Sequence, residues 1–145
     1  RAPTHERGKV DETDSRILEV LKRDARKPYT EVAEEVGTSE GTVRNRVERM
    51  EDEGVIRRFT VSTSVGNVRA MIEVEVDVDV ETSEVSESVV GWDGVDFVWE
   101  VSGDEDIIVV VDVADTSEVN DLITRIRQID ETVSTRTRLI LDEKI

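Results

Sequence analysis

The side chains best suited to binding chemistry lie at positions 39–58, where hydroxyl, amide and guanidinium groups recur. On a helical wheel drawn from Val43, most of the polar and basic residues between positions 39 and 49 lie on one side of the helix, where they form a polar, basic stripe. Asparagine can make a bidentate contact with adenine, and arginine can contact guanine or a phosphate. The stripe therefore predicts a helix that lies in the major groove of double-stranded DNA. The candidate DNA-binding residues are Ser39, Thr42, Arg44, Asn45, Arg46, Arg49, Arg57 and Arg58.

Members of this set have different expected roles. Ser39 and the N-terminus of its helix can hold a phosphate. Arg57 and Arg58 are candidate contacts to the DNA backbone from a segment after the helix. A solvated face or an ion pair within the helix is the alternative for each arginine of the stripe, and Arg44 lies one turn before Glu48.

Three helices are expected to position the stripe. The first is predicted to be capped by Asp14 and to end before Pro28. The second stops at Gly37, whose freedom to adopt a positive φ permits a tight turn, and Ser39 can cap the third. A strand is predicted over residues 55–61, so the first half is typical of a winged helix-turn-helix. A structural bundle without a DNA role is the alternative.

The second half changes its period. Residues 72–80 alternate between apolar and acidic, which predicts a strand with one wet face. Helices are expected to begin near Ser83 and at Thr116 or Ser117. The strands are predicted over residues 72–80, 95–101, 107–111 and 133–141. The order strand, helix, strand, strand, helix, strand predicts a ferredoxin-like βαββαβ domain, so the fold class is α+β.

Charge divides the chain in the same way. Residues 1–62 hold 13 cations and 14 anions, whereas residues 63–145 hold 6 and 21. Such asymmetry predicts two domains with different partners. The predicted organisation is a polar leader over residues 1–9, a helix-turn-helix domain over 10–61, a linker over 62–68 and a ferredoxin-like domain over 69–145.

Composition excludes several kinds of chemistry. The 145 residues include no cysteine and one histidine, His5, so thiolate zinc sites and cysteine nucleophiles are absent. No phosphate-binding loop, dinucleotide motif or catalytic triad is visible, so we expect no enzyme activity, no catalytic residue, no cofactor and no metal. No apolar run approaches the roughly 18 residues of a membrane span, and we expect a cytoplasmic protein without membrane contact.

The net charge is −16, and 15 of the 19 cations are arginine. Acid excess with scarce lysine resembles the composition of proteins from salt-accumulating haloarchaea. We therefore expect a halophilic, archaeal protein.

Five segments of the chain carry a family resemblance, namely VDETDSRIL at residues 10–18, EVAEEVG at 31–37, VRNRV at 43–47, EGVI at 53–56 and VSGDEDII at 101–108. By these segments the chain resembles the Lrp/AsnC family of transcription regulators. The resemblance covers roughly residues 10–143. It implies a sequence-specific DNA-binding regulator that forms homodimers through its second domain, can assemble into octamers, and binds an amino acid or similar small effector between dimers.

The resemblance also implies where the effector binds, namely a Gly-Asp turn and a Thr-x-Thr pair on the last strand. Amides and carboxylates of an exposed turn could receive an ammonium group, and hydroxyls could bind a carboxylate. Simple solvation of the acidic turn is the alternative. The implied effector-binding residues are Gly103, Asp104, Asp106, Thr135 and Thr137.

Two other functions are possible for this architecture. Siroheme decarboxylases resemble it, but such chemistry would use a histidine near the tetrapyrrole, and His5 is the sole histidine. An amino-acid-binding or assembly module without a DNA role is the other alternative, and the basic stripe argues against it.

Overall fold

The computed structural model describes residues 10–145. The polar leader predicted over residues 1–9, with His5, lies outside the described residues. The chain separates into two compact units that divide between Thr63 and Ser64. Within residues 10–145, no helix has the length and apolar character needed to cross a membrane.

The first unit contains the three expected helices, α1 (Glu12–Arg23), α2 (Tyr29–Val36) and α3 (Glu40–Asp52). They enclose one apolar core. The residues of that core with no more than 1% exposure are Ile17, Val32, Val43, Val47 and Met50.

The predicted cap of α1 was wrong by three residues. Asp11 is the N-cap, and its Oδ1 accepts a hydrogen bond from the Asp14 N–H at 2.8 Å. The Asp14 Oδ2 accepts in return from the Asp11 N–H at 3.2 Å. Two carboxylates three positions apart can satisfy each other's backbone donors in this way, so the capping box uses both residues.

The turn between α2 and α3 has the predicted geometry. Gly37 ends α2 with φ +81° in the left-handed region, and its N–H donates to the Ala33 carbonyl at 2.8 Å. Ser39 caps α3, because its Oγ accepts from the Thr42 N–H at 3.1 Å. A left-handed glycine followed two residues later by a hydroxyl cap fixes where α3 begins.

The strand predicted over residues 55–61 does not form. The Ile56 N–H donates to the Met50 carbonyl at 2.9 Å, which folds the chain back onto the end of α3. Strand backbone groups need a neighbouring strand, and the described part of the first unit offers none. The predicted wing is therefore absent, and residues 57–67 are irregular.

The second unit has the predicted ferredoxin-like order. Its elements are β1 (Val68–Val76), α4 (Thr82–Val89), β2 (Val95–Glu100), β3 (Ile107–Val113), α5 (Thr116–Arg127) and β4 (Thr132–Leu139). The sheet order is β2-β3-β1-β4, and every neighbouring pair is antiparallel. Apolar residues of α4 and α5 pack with one face of the sheet. We call the other face the open face.

The first strand begins and ends four residues before its predicted bounds. Ala70 and Ile72 already pair with β3, whereas Asp77 begins a turn and accepts the N–H of Asp79 on its Oδ1 at 2.9 Å. The alternation of apolar and acidic residues continues past the point where the partner strands end, so Val78 is 96% exposed. The last strand likewise runs over 132–139 and not to 141.

The expected wet face of the first strand is only partly wet. Glu73 is 9% exposed, and its Oε1 lies 3.8 Å from the Arg138 Nε on β4. Glu75, two residues further on, is exposed. Val109 and Val111 of β3 belong to the core with α4 and α5, so Val110 between them lies on the open face. Phe97 is opposite Val110 in the strand register and therefore shares that face.

Candidate nucleic-acid interface and effector site

The side of α3 opposite its buried residues consists of Gly41, Asn45, Glu48 and Asp52, all exposed. These positions fall within one arc of the helical wheel. We call them the crest of α3. The crest carries an amide and two carboxylates and no cation.

The arginines of α3 lie on its two flanks. On one flank, Arg44 forms an ion pair with Glu40, and its guanidinium carbon lies 5.3 Å from the ring centroid of Tyr29. The hydrogen bond to Glu40 raises the pKa of Arg44 above its ordinary value. Arg44 stays 54% exposed, so a ligand can still reach a guanidinium that its neighbours orient.

On the other flank, Arg46 and Arg49 contact α1. The Arg46 Nη1 donates to the Asp14 Oδ1 at 3.0 Å and to the Asp11 Oδ2 at 2.5 Å. The Arg49 Nη2 donates to the Asp14 Oδ2 at 2.5 Å. The Asp14 side chain is 1% exposed, whereas those of Arg46 and Arg49 are 28% and 39% exposed. We call these four residues the interhelix cluster.

The cluster changes the titration of its carboxylates. Burial by itself would raise the pKa of Asp14, but hydrogen bonds from Arg49, Arg46 and the Asp11 N–H together lower it below its ordinary value. The hydrogen bond from Arg46 also lowers the pKa of Asp11. Asp14 therefore stays ionised and holds both guanidinium groups.

The other predicted DNA-binding residues lie at either end of α3. The Ser39 Oγ hydrogen-bonds the Thr42 Oγ1 at 2.8 Å, so these two hydroxyls are joined at the first turn. Arg57 and Arg58 are exposed in the irregular segment after α3. Sequence reasoning missed Asp11 and Asp14 as partners of the arginines. A pair of acidic residues at the start of one helix and a pair of arginines on another was the available signal.

In the second unit, the turn between β2 and β3 is fastened to the end of β1. Gly103 has φ +121°, and Asp104 is exposed. The Asp106 Oδ2 accepts from the Val76 N–H at 2.8 Å, and its own N–H donates to the Val74 carbonyl at 2.9 Å. Asp106 therefore already makes hydrogen bonds within the protein through both its side chain and its backbone.

The Thr-x-Thr pair flanks the same strand from the other side. Thr135 lies opposite Val74 and Thr137 opposite Ile72 in the register of β4 with β1. The Thr135 Oγ1 accepts from the Arg127 Nε at 3.0 Å. The structure therefore brings the turn and the threonines to the two sides of one strand.

A cavity of about 440 Å³ lies elsewhere in the second unit. Its walls include Asp93, Gly94, Asp112 and Arg125. None of the five predicted effector-binding residues lines it. The effector prediction therefore concerns an open surface, not this cavity.

Comparisons with known proteins match both units. The model of the AsnC-type helix-turn-helix domain matches residues 10–51, and that of the Lrp/AsnC ligand binding domain matches residues 69–145. The HTH-type transcriptional regulator LysM of Sulfurisphaera tokodaii is 40% identical over 133 residues, which cover 91% of this chain and 95% of the relative. The HTH-type transcriptional regulator FL11 of Pyrococcus furiosus is 30% identical over 139 residues, with 93% and 91% covered.

Solved structures agree with these matches. The crystal structure of MtbAldR has a TM-score of 0.82 at 29% identity and covers 95% of each chain. The feast or famine regulatory protein from M. tuberculosis, complexed with L-methionine, has a TM-score of 0.75 at 25% identity and covers 92% of this chain and 93% of its own.

Proposed function

The chain belongs to the Lrp/AsnC family of transcriptional regulators, and from this premise we propose that α3 makes its DNA contacts and that the turn at Gly103 makes its effector contacts. Its named relatives are HTH-type transcriptional regulators, so the chain is a DNA-binding regulator with a ligand-binding domain and not an enzyme. The residues that bind DNA and effector, the class of effector, the assembly and the source are our proposals.

The observation that carries the DNA proposal is the exposure of α3. Its first turn is capped by Ser39, its crest presents Asn45, and arginines stand on both flanks. Residues 1–62 have a net charge of only −1, against −15 for residues 63–145, so the half with α3 is the one that can approach a polyanion.

Selection from a library of random duplexes, with the full chain in about 1 M KCl, tests this proposal. We expect enrichment of two half-sites separated by about one helical turn of DNA or a multiple of it. Asn45→Asp should weaken binding to the enriched site about tenfold or more, because it loses the amide donor and adds a charge beside the bases.

Asn120→Asp is the matched control, since it makes the same chemical change at an exposed position of α5. It should bind like the parent. Failure of the parent to enrich any motif, or equal binding by both variants, would contradict the proposal.

We propose an amino acid as the effector. With an effector bound between dimers, the Gly103 carbonyl oxygen and the Asp104 carboxylate could accept hydrogen bonds from the ammonium group, while a Thr137 hydroxyl could donate to the carboxylate. Asp104 and Thr137 make no hydrogen bond through their side chains to the described residues, unlike Asp106 and Thr135. The relative complexed with L-methionine supports this ligand class.

A thermal-shift screen of amino acids in molar KCl tests the effector proposal. A ligand at about 100 times its Kd adds about 2.7 kcal/mol to the stability of the native state, which raises Tm by several degrees. Asp104→Asn should abolish most of the shift, and Asp130→Asn, the same change at another exposed turn, should keep it. Equal shifts in the two variants would place the ligand elsewhere, and no shift with any amino acid would reject the class.

We also propose a cytoplasmic location, which the named relatives support because they are transcriptional regulators, and a haloarchaeal source. The excess of 35 acidic over 19 basic residues and the preference for arginine support adaptation to concentrated salt. At 1 M salt the Debye length is about 3 Å, so repulsion between the acidic second half and DNA is largely screened. The same screening weakens the attraction of phosphates, so DNA affinity should fall less steeply with salt than that of a basic regulator.

We further propose a homodimer that closes over the open face and can assemble into octamers. Phe97 and Trp99 stack there with ring centroids 6.0 Å apart, and Trp99 is 49% exposed. The Glu73 Oε2 is buried without a hydrogen-bond partner among the described residues, and a donor from a second copy would satisfy it. Sedimentation in molar KCl distinguishes the dimer from the octamer.

A further inference from the structure

The charges of α3 are divided between its crest and its flanks. Arg44 is held on one flank by Glu40, and Arg46 and Arg49 are held on the other by Asp14. The crest has an amide at Asn45 and carboxylates further along. The amide and carboxylates of the crest are therefore separated around the helix from the guanidinium groups of the flanks.

The size of the major groove gives this division a meaning. A helix with side chains is about 10–12 Å across and the groove is about 12 Å wide, so a helix in the groove turns its crest to the bases and its flanks to the two phosphate backbones. A guanidinium has five N–H donors. Arg46 bonds the carboxylates of α1 through Nη1, and Arg49 bonds Asp14 through Nη2, so each retains donors for a phosphate.

We propose that Asn45 and Glu48 read the base sequence, whereas Arg44, Arg46 and Arg49 contact phosphates and add affinity for any sequence. This inference rests on the proposed function, in which α3 lies in the major groove. A carboxylate near phosphates is repelled unless it accepts a hydrogen bond, and the N4 amino group of cytosine is the donor that glutamate reads in this groove. The Asn45 amide can make a bidentate contact with adenine.

Gly41 supports a close approach of the crest to DNA. Its backbone is helical without a positive φ, and a Cβ there would meet nothing within 4 Å in the chain. The fold therefore does not require glycine at this position, although glycine weakens a helix relative to alanine. Because Gly41 has no side chain, the backbone of the first turn of α3 can come nearer to DNA.

Repeating the library selection with Glu48→Gln tests the inference. The motif should lose its preference for cytosine at one position in each half-site, and the ratio of specific to random-sequence affinity should fall about tenfold. Affinity for random DNA should rise, because a negative charge near phosphates is removed. Glu51→Gln removes the same charge on the flank of α3 and should select the parent motif.

Arg44→Ala provides the complementary measurement. It should weaken binding to the selected site and to random DNA by the same factor and leave the base frequencies unchanged. Unchanged base frequencies in Glu48→Gln would overturn the inference, as would a changed base preference in Arg44→Ala. If the parent itself selects no motif, the proposed reading of DNA by α3 fails and this inference fails with it, so the two failures are distinguishable.

Discussion

Replacing Asp14 by alanine should lower the free energy of unfolding of the first unit by about 3 kcal/mol. The substitution removes a side chain that is 1% exposed and accepts hydrogen bonds from Arg46 and Arg49. It leaves two guanidinium groups partly buried without their carboxylate, and it removes half of the capping box of α1. Because water still reaches both arginines, we expect the lower end of the cost of breaking a buried pair.

Chemical denaturation followed by two signals measures this effect. Both tryptophans, Trp92 and Trp99, lie in the second unit, so their fluorescence follows that unit, while far-UV circular dichroism also reports the helices of the first. Glu12→Ala, an exposed acidic residue in the same turn of α1, is the control and should change stability by less than about 0.5 kcal/mol. A stability of Asp14→Ala equal to that of the control would mean that the interhelix cluster does not hold α1 to α3.

The cluster also affects how arginine variants are interpreted. Arg46→Ala or Arg49→Ala removes a partner of the buried Asp14 carboxylate as well as a possible DNA contact. A loss of DNA binding in either variant therefore combines folding with recognition. Arg44, whose ion-pair partner Glu40 lies on the same helix with a side chain 40% exposed, separates the two effects.

Gly94→Ala should destabilise the second unit by about 3 kcal/mol. Gly94 has φ +86°, which an L side chain rarely adopts. A Cβ at this position would lie 2.7 Å from the Val113 Cγ1. Val113 is β-branched and fixed in β3, so it has little freedom to move away.

Gly91→Ala is the matched control for this substitution. Its φ is not positive, and its Cβ would meet nothing within 4 Å. Tryptophan fluorescence during chemical denaturation should show a lower midpoint for Gly94→Ala and an almost unchanged midpoint for Gly91→Ala. Equal midpoints for the two variants would mean that β3 shifts to accommodate the added methyl group without a loss of stability.

Local patterns predicted the elements better than their ends. The spacing of Val43, Val47 and Met50 is enough to identify the buried side of α3, because that side is set by the period of the helix. The end of β1 was wrong because alternation continues to Val78, and where a strand stops depends on its partner strands. The strand predicted over 55–61 was wrong for the same reason.

For the candidate DNA site, the sequence predicted which residues belong to it and which side of α3 they share, but not which residues they contact. On the helical wheel Arg46 and Arg49 share one side of α3, but the ion pairs expected for them from the sequence were all within that helix. Their partner, Asp14, lies 32 and 35 residues away in the sequence. Local spacing carries no information about such a pair, since the packing of α1 against α3 creates it.

The crest of α3 also bears on how this regulator could evolve. Asn45 and Glu48 make no hydrogen bond through their side chains to the described residues, so substitutions there cost the fold little. Asp14, Arg46 and Arg49 depend on one another, so a change at one is tolerated best when the others change with it. If the crest reads the bases as proposed, new operators could arise through it by single mutations, while the interhelix cluster would be inherited as a unit.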